Sequence, residues 1–116
     1  MADDVKALIG ALRNFAHERE WEQFHAPKNL AAALSVEAAE LLEHFQWMSE
    51  DQSRHLSDEK KREVAQELAD VFLYLLQLSD KLNVDLYKAA WAKLEANAAK
   101  YPVERAKGSS KKYTEI

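Results

Sequence analysis

Cysteine is absent from the 116 residues, which excludes disulfides, zinc ribbons and thiol nucleophiles and fits a reducing compartment. Glycine and proline occur twice each, a scarcity of chain breakers that points to a compact helical protein. No window approaches the ~18 consecutive apolar residues of a membrane span. The opening MADDVKALIG is acidic where a signal peptide is basic, so the expectation is a cytoplasmic protein with no membrane partner. Excess positive charge is lacking too. The formal net charge of −4 argues against a nucleic-acid polymer as partner, because such a protein must neutralise many phosphates. A small phosphorylated ligand carrying its own metal is still compatible.

The residues present, 47% hydrophobic and 31% charged, suit one small domain that oligomerisation would help to bury a core. Four helical segments are predicted. Val5, Leu8, Ile9, Leu12 and Phe15 recur at intervals of three and four, one face of a first helix. REWEQFHAPKN breaks that pattern, and Trp21 to Asn29 reads as a loop. Leu30 to Trp47 reads as the second helix, and polar MSEDQSRHL as its connection to a third. Ser57 is a plausible N-cap for that third helix, with Asp58 and Glu59 suited to its first turn. It runs to about Leu82 with Val64, Leu68, Val71, Phe72, Leu75 and Leu78 as its apolar surface. Asp85 can cap a fourth helix from Leu86 to about Lys100, stopped by Pro102. Residues 1–102 therefore form the all-α domain and residues 103–116 a polar, basic tail. Nothing reads as a strand.

One oddity occurs twice. Glu37 stands between Leu34 and Leu41, one turn away on either side, and Glu40 follows three later. Glu67 lies between Val64 and Val71, and Asp70 follows three later. At a rise of ~1.5 Å per residue, positions three apart share one side of a helix, so two helices each present a carboxylate pair beside an apolar stripe. A single E-x-x-E on a solvated face is common, because glutamate is a good helix former. Two pairs at inward positions are another matter, and no Lys or Arg lies three or four residues from Glu37 or Glu40. Four facing carboxylates would repel, and desolvating each would cost several kcal/mol unless a cation joined them.

All-oxygen ligand sets suit Mg²⁺, Mn²⁺ or Ca²⁺, whereas zinc, copper and haem recruit imidazole or thiolate. Di-iron helical bundles use Glu-x-x-His on two helices. The one such pair here, Glu22 with His25, falls in the aromatic loop, which argues against a carboxylate-bridged iron protein. Mg²⁺ shares its coordination with substrate phosphates, so an open carboxylate cluster predicts a phosphate-bearing substrate. The alternative from another class is a non-enzymatic helical interaction protein whose carboxylates form a solvated face.

Glu37-x-x-Glu40 followed by Glu67-x-x-Asp70 resembles the E-x-x-E…E-x-x-D signature of the all-α MazG-like nucleoside triphosphate pyrophosphohydrolases. The strings EREWEQFHAPKNL, EAAELLEHFQW, QELADVFLYL and YPVERAKGSSKKYTEI are similar to the dCTP pyrophosphatase branch of that family, over nearly the whole chain. The resemblance implies a four-helix bundle completed by oligomerisation, and hydrolysis between the α and β phosphates to a nucleoside monophosphate and pyrophosphate. It implies Mg²⁺, with Mn²⁺ as a substitute, bound at Glu37, Glu40, Glu67 and Asp70. Glu37 is the candidate base.

In that branch the base site is built around positions that are here Trp21, Glu22, Gln23, Phe24, His25, Trp47 and Tyr74. Stacking of a base on aromatic rings is worth ~1–3 kcal/mol. Phosphate contacts are expected from Lys93, Asn97, Lys100 and Tyr101 on the fourth helix and from Lys111 and Tyr113 in the tail, with the tail ordered over the substrate. The resemblance further implies a homotetramer built as a dimer of dimers. The expected substrate is dCTP or a modified dCTP, in nucleotide pool sanitation. At Leu12 the sequence departs from the branch, which as aligned has a substrate-holding histidine there. Strict cytosine specificity is therefore not implied, and a broader house-cleaning triphosphate pyrophosphatase is the alternative.

Overall fold

The computed structural model describes residues 3–116. Its main elements are α1 (Asp3–Glu18), a 3₁₀ turn at Glu22–Phe24, α2 (Pro27–Glu43), α3 (Glu50–Arg54), α4 (Asp58–Lys81), α5 (Leu86–Lys100), α6 (Val103–Ala106) and a 3₁₀ turn at Tyr113–Glu115. The fold is all-α, with no strand among the described residues.

Local chemistry sets most of the boundaries. Ser57 accepts from the Lys60 N–H at the start of α4, and Asp85 accepts from Lys88 at the start of α5, so each side chain satisfies a donor the helix cannot. Helices α1 and α4 end alike. The Ala16 carbonyl accepts from the Trp21 N–H at 2.9 Å and the Ser79 carbonyl from the Val84 N–H at 2.9 Å. Glu20 and Asn83 occupy the left-handed position between, at φ 55° and 56°. This is the Schellman arrangement, and at α1 it throws the chain back so that the Trp21 ring meets Phe15 edge-on at 5.6 Å.

The second helix differs from its predicted span of Leu30 to Trp47. It begins at Pro27, whose missing N–H costs nothing in a first turn, and it stops at Glu43. Beyond that residue three-residue steps enter, His44 N–H to the Leu41 carbonyl and Phe45 N–H to the Leu42 carbonyl, with Gln46 N–H returning to the Leu42 carbonyl. The predicted loop of 21–29 accordingly contains a 3₁₀ turn and gives its last three residues to α2. The polar connection is not featureless either. Ser49 and Gln52 form a reciprocal capping box that nucleates α3.

Helix α2 packs extensively against α4, and α1 contacts α4 over a smaller area. Ile9, Ala16, Leu30, Val64 and Leu76 fill the space between them. Arg13 clasps Asp80 with two hydrogen bonds, the Nε one at 2.9 Å, and this ties α1 to the end of α4. Helix α5 stands off from this group. Its Tyr87, Trp91 and Leu94 share one face at helical spacing and are all exposed. The Cα radius of gyration is 17.7 Å, against about 13 Å for a compact chain of ~100 residues. One chain thus leaves a long arm with an apolar face.

Candidate active site

Helices α2 and α4 bring the two carboxylate pairs together. Glu37, Glu67 and Asp70 each place a carboxylate oxygen within 4.8 Å of the others. Glu40 lies one turn on from Glu37 and against it, outside that closest triplet. The Oε2 atoms of Glu37 and Glu67 are buried without a hydrogen-bond partner. Burial, followed by hydrogen bonding to Glu40 and the negative charges of Glu40, Asp70 and Glu67, pushes the Glu37 carboxyl up to about 7. Among the described residues no lysine or arginine forms an ion pair with any of the four. Unpaired buried carboxylate oxygens converging from two helices fit a hard divalent cation such as Mg²⁺ or Mn²⁺, which takes oxygen ligands and offsets their repulsion.

Asp70 also borders a cleft of about 320 Å³ between α1, the aromatic loop and α4. Trp21, His25 and Tyr74 line it, together with Leu12, Phe15 and Gln77. Of the residues expected around the base, these three ring-bearing ones therefore share a concave site with a carboxylate of the cluster. Leu12 sits in the same wall, where a side chain at this position would touch a ligand.

Other expected residues lie elsewhere. Glu22 accepts or shares a proton with His17 Nδ1 at 2.8 Å and faces a neighbouring depression beside Arg13 and Lys81. Gln23 Nε2 donates to the Glu20 carbonyl at 2.9 Å, and the Phe24 ring is exposed while its carbonyl accepts from Asn29. These contacts shape the loop and do not line the cleft. Trp47 falls past the end of α2 and is 89% exposed. Lys93, Asn97, Lys100 and Tyr101 ride on or just after α5, away from the cleft walls. The tail folds back on this end: Lys100 Nζ is 5.0 Å from the Tyr113 ring centre, and Tyr101 meets Tyr113 edge-on at 6.1 Å. Lys111 lies in the same returning segment, its N–H donating to Ser109 Oγ.

Two residues at the site went unread in the sequence. Gln77, three after Tyr74, lines the cleft with its Nε2 donating to the Leu73 carbonyl at 3.3 Å. His44 places Nε2 4.0 Å from Glu67 Oε1. Each continues a helical stripe already marked, His44 four after Glu40 and Gln77 seven after Asp70, and that spacing was the available signal.

The chain is similar to known proteins. A model of the MazG-like family matches residues 32–116. The chain is 43% identical to dCTP pyrophosphatase 1 of Rattus norvegicus over 116 residues, 98% of this chain and 66% of that protein. It is 42% identical to dCTP pyrophosphatase 1 of Homo sapiens over the same shares. The chain thus spans about two thirds of the length of these relatives. The crystal structure of a pyrophosphatase from Archaeoglobus fulgidus matches at a TM-score of 0.82 and 42% identity, covering 88% of this chain and 95% of that one. The chain belongs to the MazG-like family, as its two carboxylate pairs and flanking strings indicated.

Proposed function

We propose that this protein is a Mg²⁺-dependent nucleoside triphosphate pyrophosphohydrolase that cleaves between the α and β phosphates, releasing nucleoside monophosphate and pyrophosphate. The observation that carries the reading is the cluster of Glu37, Glu67 and Asp70 with two buried unpaired oxygens, opening through Asp70 onto a ring-lined cleft. Relatives named for dCTP pyrophosphatase and pyrophosphatase activity support the reaction class.

Glu37, Glu40, Glu67 and Asp70 are the proposed ligands. A Mg²⁺ held by these four carboxylates would supply neutralisation of phosphate charge and a water of lowered pKa. Glu37 is the proposed general base, a carboxylate within the cluster and so close to where a water would be activated. Trp21, Tyr74 and His25 hold the nucleoside, the rings by stacking and the imidazole by a hydrogen bond to a polar edge. Substrate in this reading is dCTP or a modified dCTP. The apolar Leu12 in the cleft wall favours a second, broader specificity, because it offers no hydrogen bond to discriminate one base edge from another.

The working form is a cytoplasmic homotetramer, a dimer of dimers. The exposed apolar face of α5 supports assembly. In it, Lys93, Asn97, Lys100, Tyr101, Lys111 and Tyr113 reach phosphates at a subunit contact, the tail of residues 103–116 closing over the substrate, and Trp47 gains cover. A panel of deoxy- and ribonucleoside triphosphates with Mg²⁺, scored for pyrophosphate against orthophosphate, tests the reading. Orthophosphate as the direct product would refute α–β cleavage.

A further inference from the structure

His44 is the residue at which α2 ends. Its side chain is 19% exposed and lies against α4, with Nε2 4.0 Å from Oε1 of Glu67, itself 22% exposed. The other oxygen of that carboxylate, Oε2, is buried and unpartnered. One oxygen of Glu67 therefore faces an imidazole nitrogen, while the other is left for something else. Among the described residues His44 is the one basic side chain within ion-pairing distance of any of the four clustered carboxylates.

We propose that His44 is a positioning residue for Glu67, acting on Oε1 through Nε2–H so that Oε2 is presented to the metal. The inference rests on the reading of Glu67 as a metal ligand. A separation of 4.0 Å exceeds a direct hydrogen bond and suits one bridging water or a small side-chain rotation. Neutral imidazole protonated at Nε2 and imidazolium both donate there, so the role does not depend on charge state. Without a donor, Glu67 keeps its rotamer freedom, and the ion must order the carboxylate on binding. Groups that orient a ligand in this way are worth ~10–100-fold in metal affinity. Helical geometry places the donor correctly, since His44 continues the stripe of Glu37 and Glu40 on α2 and faces α4 beside Glu67.

The test is Mn²⁺ binding to nucleotide-free protein, followed by electron paramagnetic resonance, in wild type, His44→Leu, His44→Gln and Glu67→Gln. The expected result is a dissociation constant about 10-fold higher in His44→Leu, and within about threefold of wild type in His44→Gln, whose amide nitrogen reaches where Nε2 stood. In turnover, His44→Leu should need correspondingly more Mg²⁺ for half-maximal rate, while kcat at saturating Mg²⁺ falls less than affinity does. Wild-type Mn²⁺ affinity in His44→Leu, with Glu67→Gln unable to bind, would overturn the role of His44 and leave the metal reading standing. No binding by wild type would overturn both. Should His44→Leu fail to fold, His44→Asn, too short to reach Oε1, takes its place, and wild-type affinity in that variant overturns the proposal equally. Weak binding in His44→Gln together with a lowered metal-free melting temperature would assign His44 to packing instead.

Discussion

Glu37 of α2 and Glu67 of α4 each bury one carboxylate oxygen, Oε2, where no hydrogen-bond partner reaches it. Removing carboxylates from water costs several kcal/mol per ion unless a counter-charge meets them. Packing α2 on α4 therefore brings together carboxylates whose repulsion a divalent cation would offset.

Neutralising either residue removes repulsion as well as a ligand. Glu37→Gln and Glu67→Gln are expected to lower Mg²⁺-dependent hydrolysis by on the order of 100-fold or more, since metal polarisation contributes several kcal/mol. The metal-free proteins should melt at or above the wild-type temperature, and the rise in melting temperature on adding Mg²⁺ should shrink. Glu43, exposed at the end of α2, serves as control, and its change to Gln should alter activity far less. Full turnover in both site variants would mean the carboxylates are a solvated face.

Stability should depend on pH in the sense opposite to an ordinary ion-paired carboxylate. Glu37 has its pKa raised from 4.5 to about 7 by burial and then by its acidic neighbours. Between those values the folded state holds a proton that the unfolded state has released. The stabilisation is thus complete below about 4.5 and lost as pH rises through about 7. Asp80, held below its ordinary 3.8 chiefly by hydrogen bonding to Arg13, acts in the other sense and only at more acid pH. Metal-free protein should melt roughly 5 °C lower at pH 8 than at pH 5, and Glu37→Gln should flatten that slope. Added Mg²⁺ competes with the proton, so its stabilising effect should grow across the same window. Thermal melts in chelator and in Mg²⁺ from pH 5 to 8 measure both.

The ring-lined cleft makes a separate claim. Trp21 is 44% exposed and meets Phe15 edge-on, so Trp21→Ala should disturb folding little. Loss of one stacking surface should raise KM roughly 10-fold, within the ~1–3 kcal/mol that base stacking contributes, with a smaller change in kcat. Leu12→His should add a hydrogen-bonding edge to the cleft wall and raise kcat/KM for dCTP relative to dTTP. Steady-state kinetics with both nucleotides checks the pair, and an unchanged KM in Trp21→Ala would remove Trp21 from the site.

Assembly is read most directly from α5. Light scattering at micromolar protein should return a tetramer's mass. Trp91→Glu places a charge on the exposed apolar face beside Tyr87 and Leu94 and should yield smaller species with reduced turnover. A monomeric mass for wild type would refute the assembly and the phosphate contacts assigned to α5.

Much of this was decided by local chemistry and so was legible in the residues themselves. The N-caps Ser57 and Asp85, the start of α5 at Leu86 and the stripe pairing Glu37 with Glu40 and Glu67 with Asp70 depend on interactions within a turn or two of chain. The end of α2 was not legible: LEHFQW is as good a helical pattern as what precedes it, and only the tightened bonds after Leu41 release Trp47 from the helix. Convergence is the other matter sequence spacing does not decide. Periodicity says that two acidic pairs lie beside apolar stripes, but the rotation of α2 against α4 determines that Asp70 joins Glu37 and Glu67 in the closest triplet while Glu40 stands behind Glu37. The same packing brings His44 to Glu67, and Leu12 to Trp21 and Tyr74. These groupings draw on separate elements of the chain, and they exist only once burial of Leu30 and Leu76 has set how the helices meet.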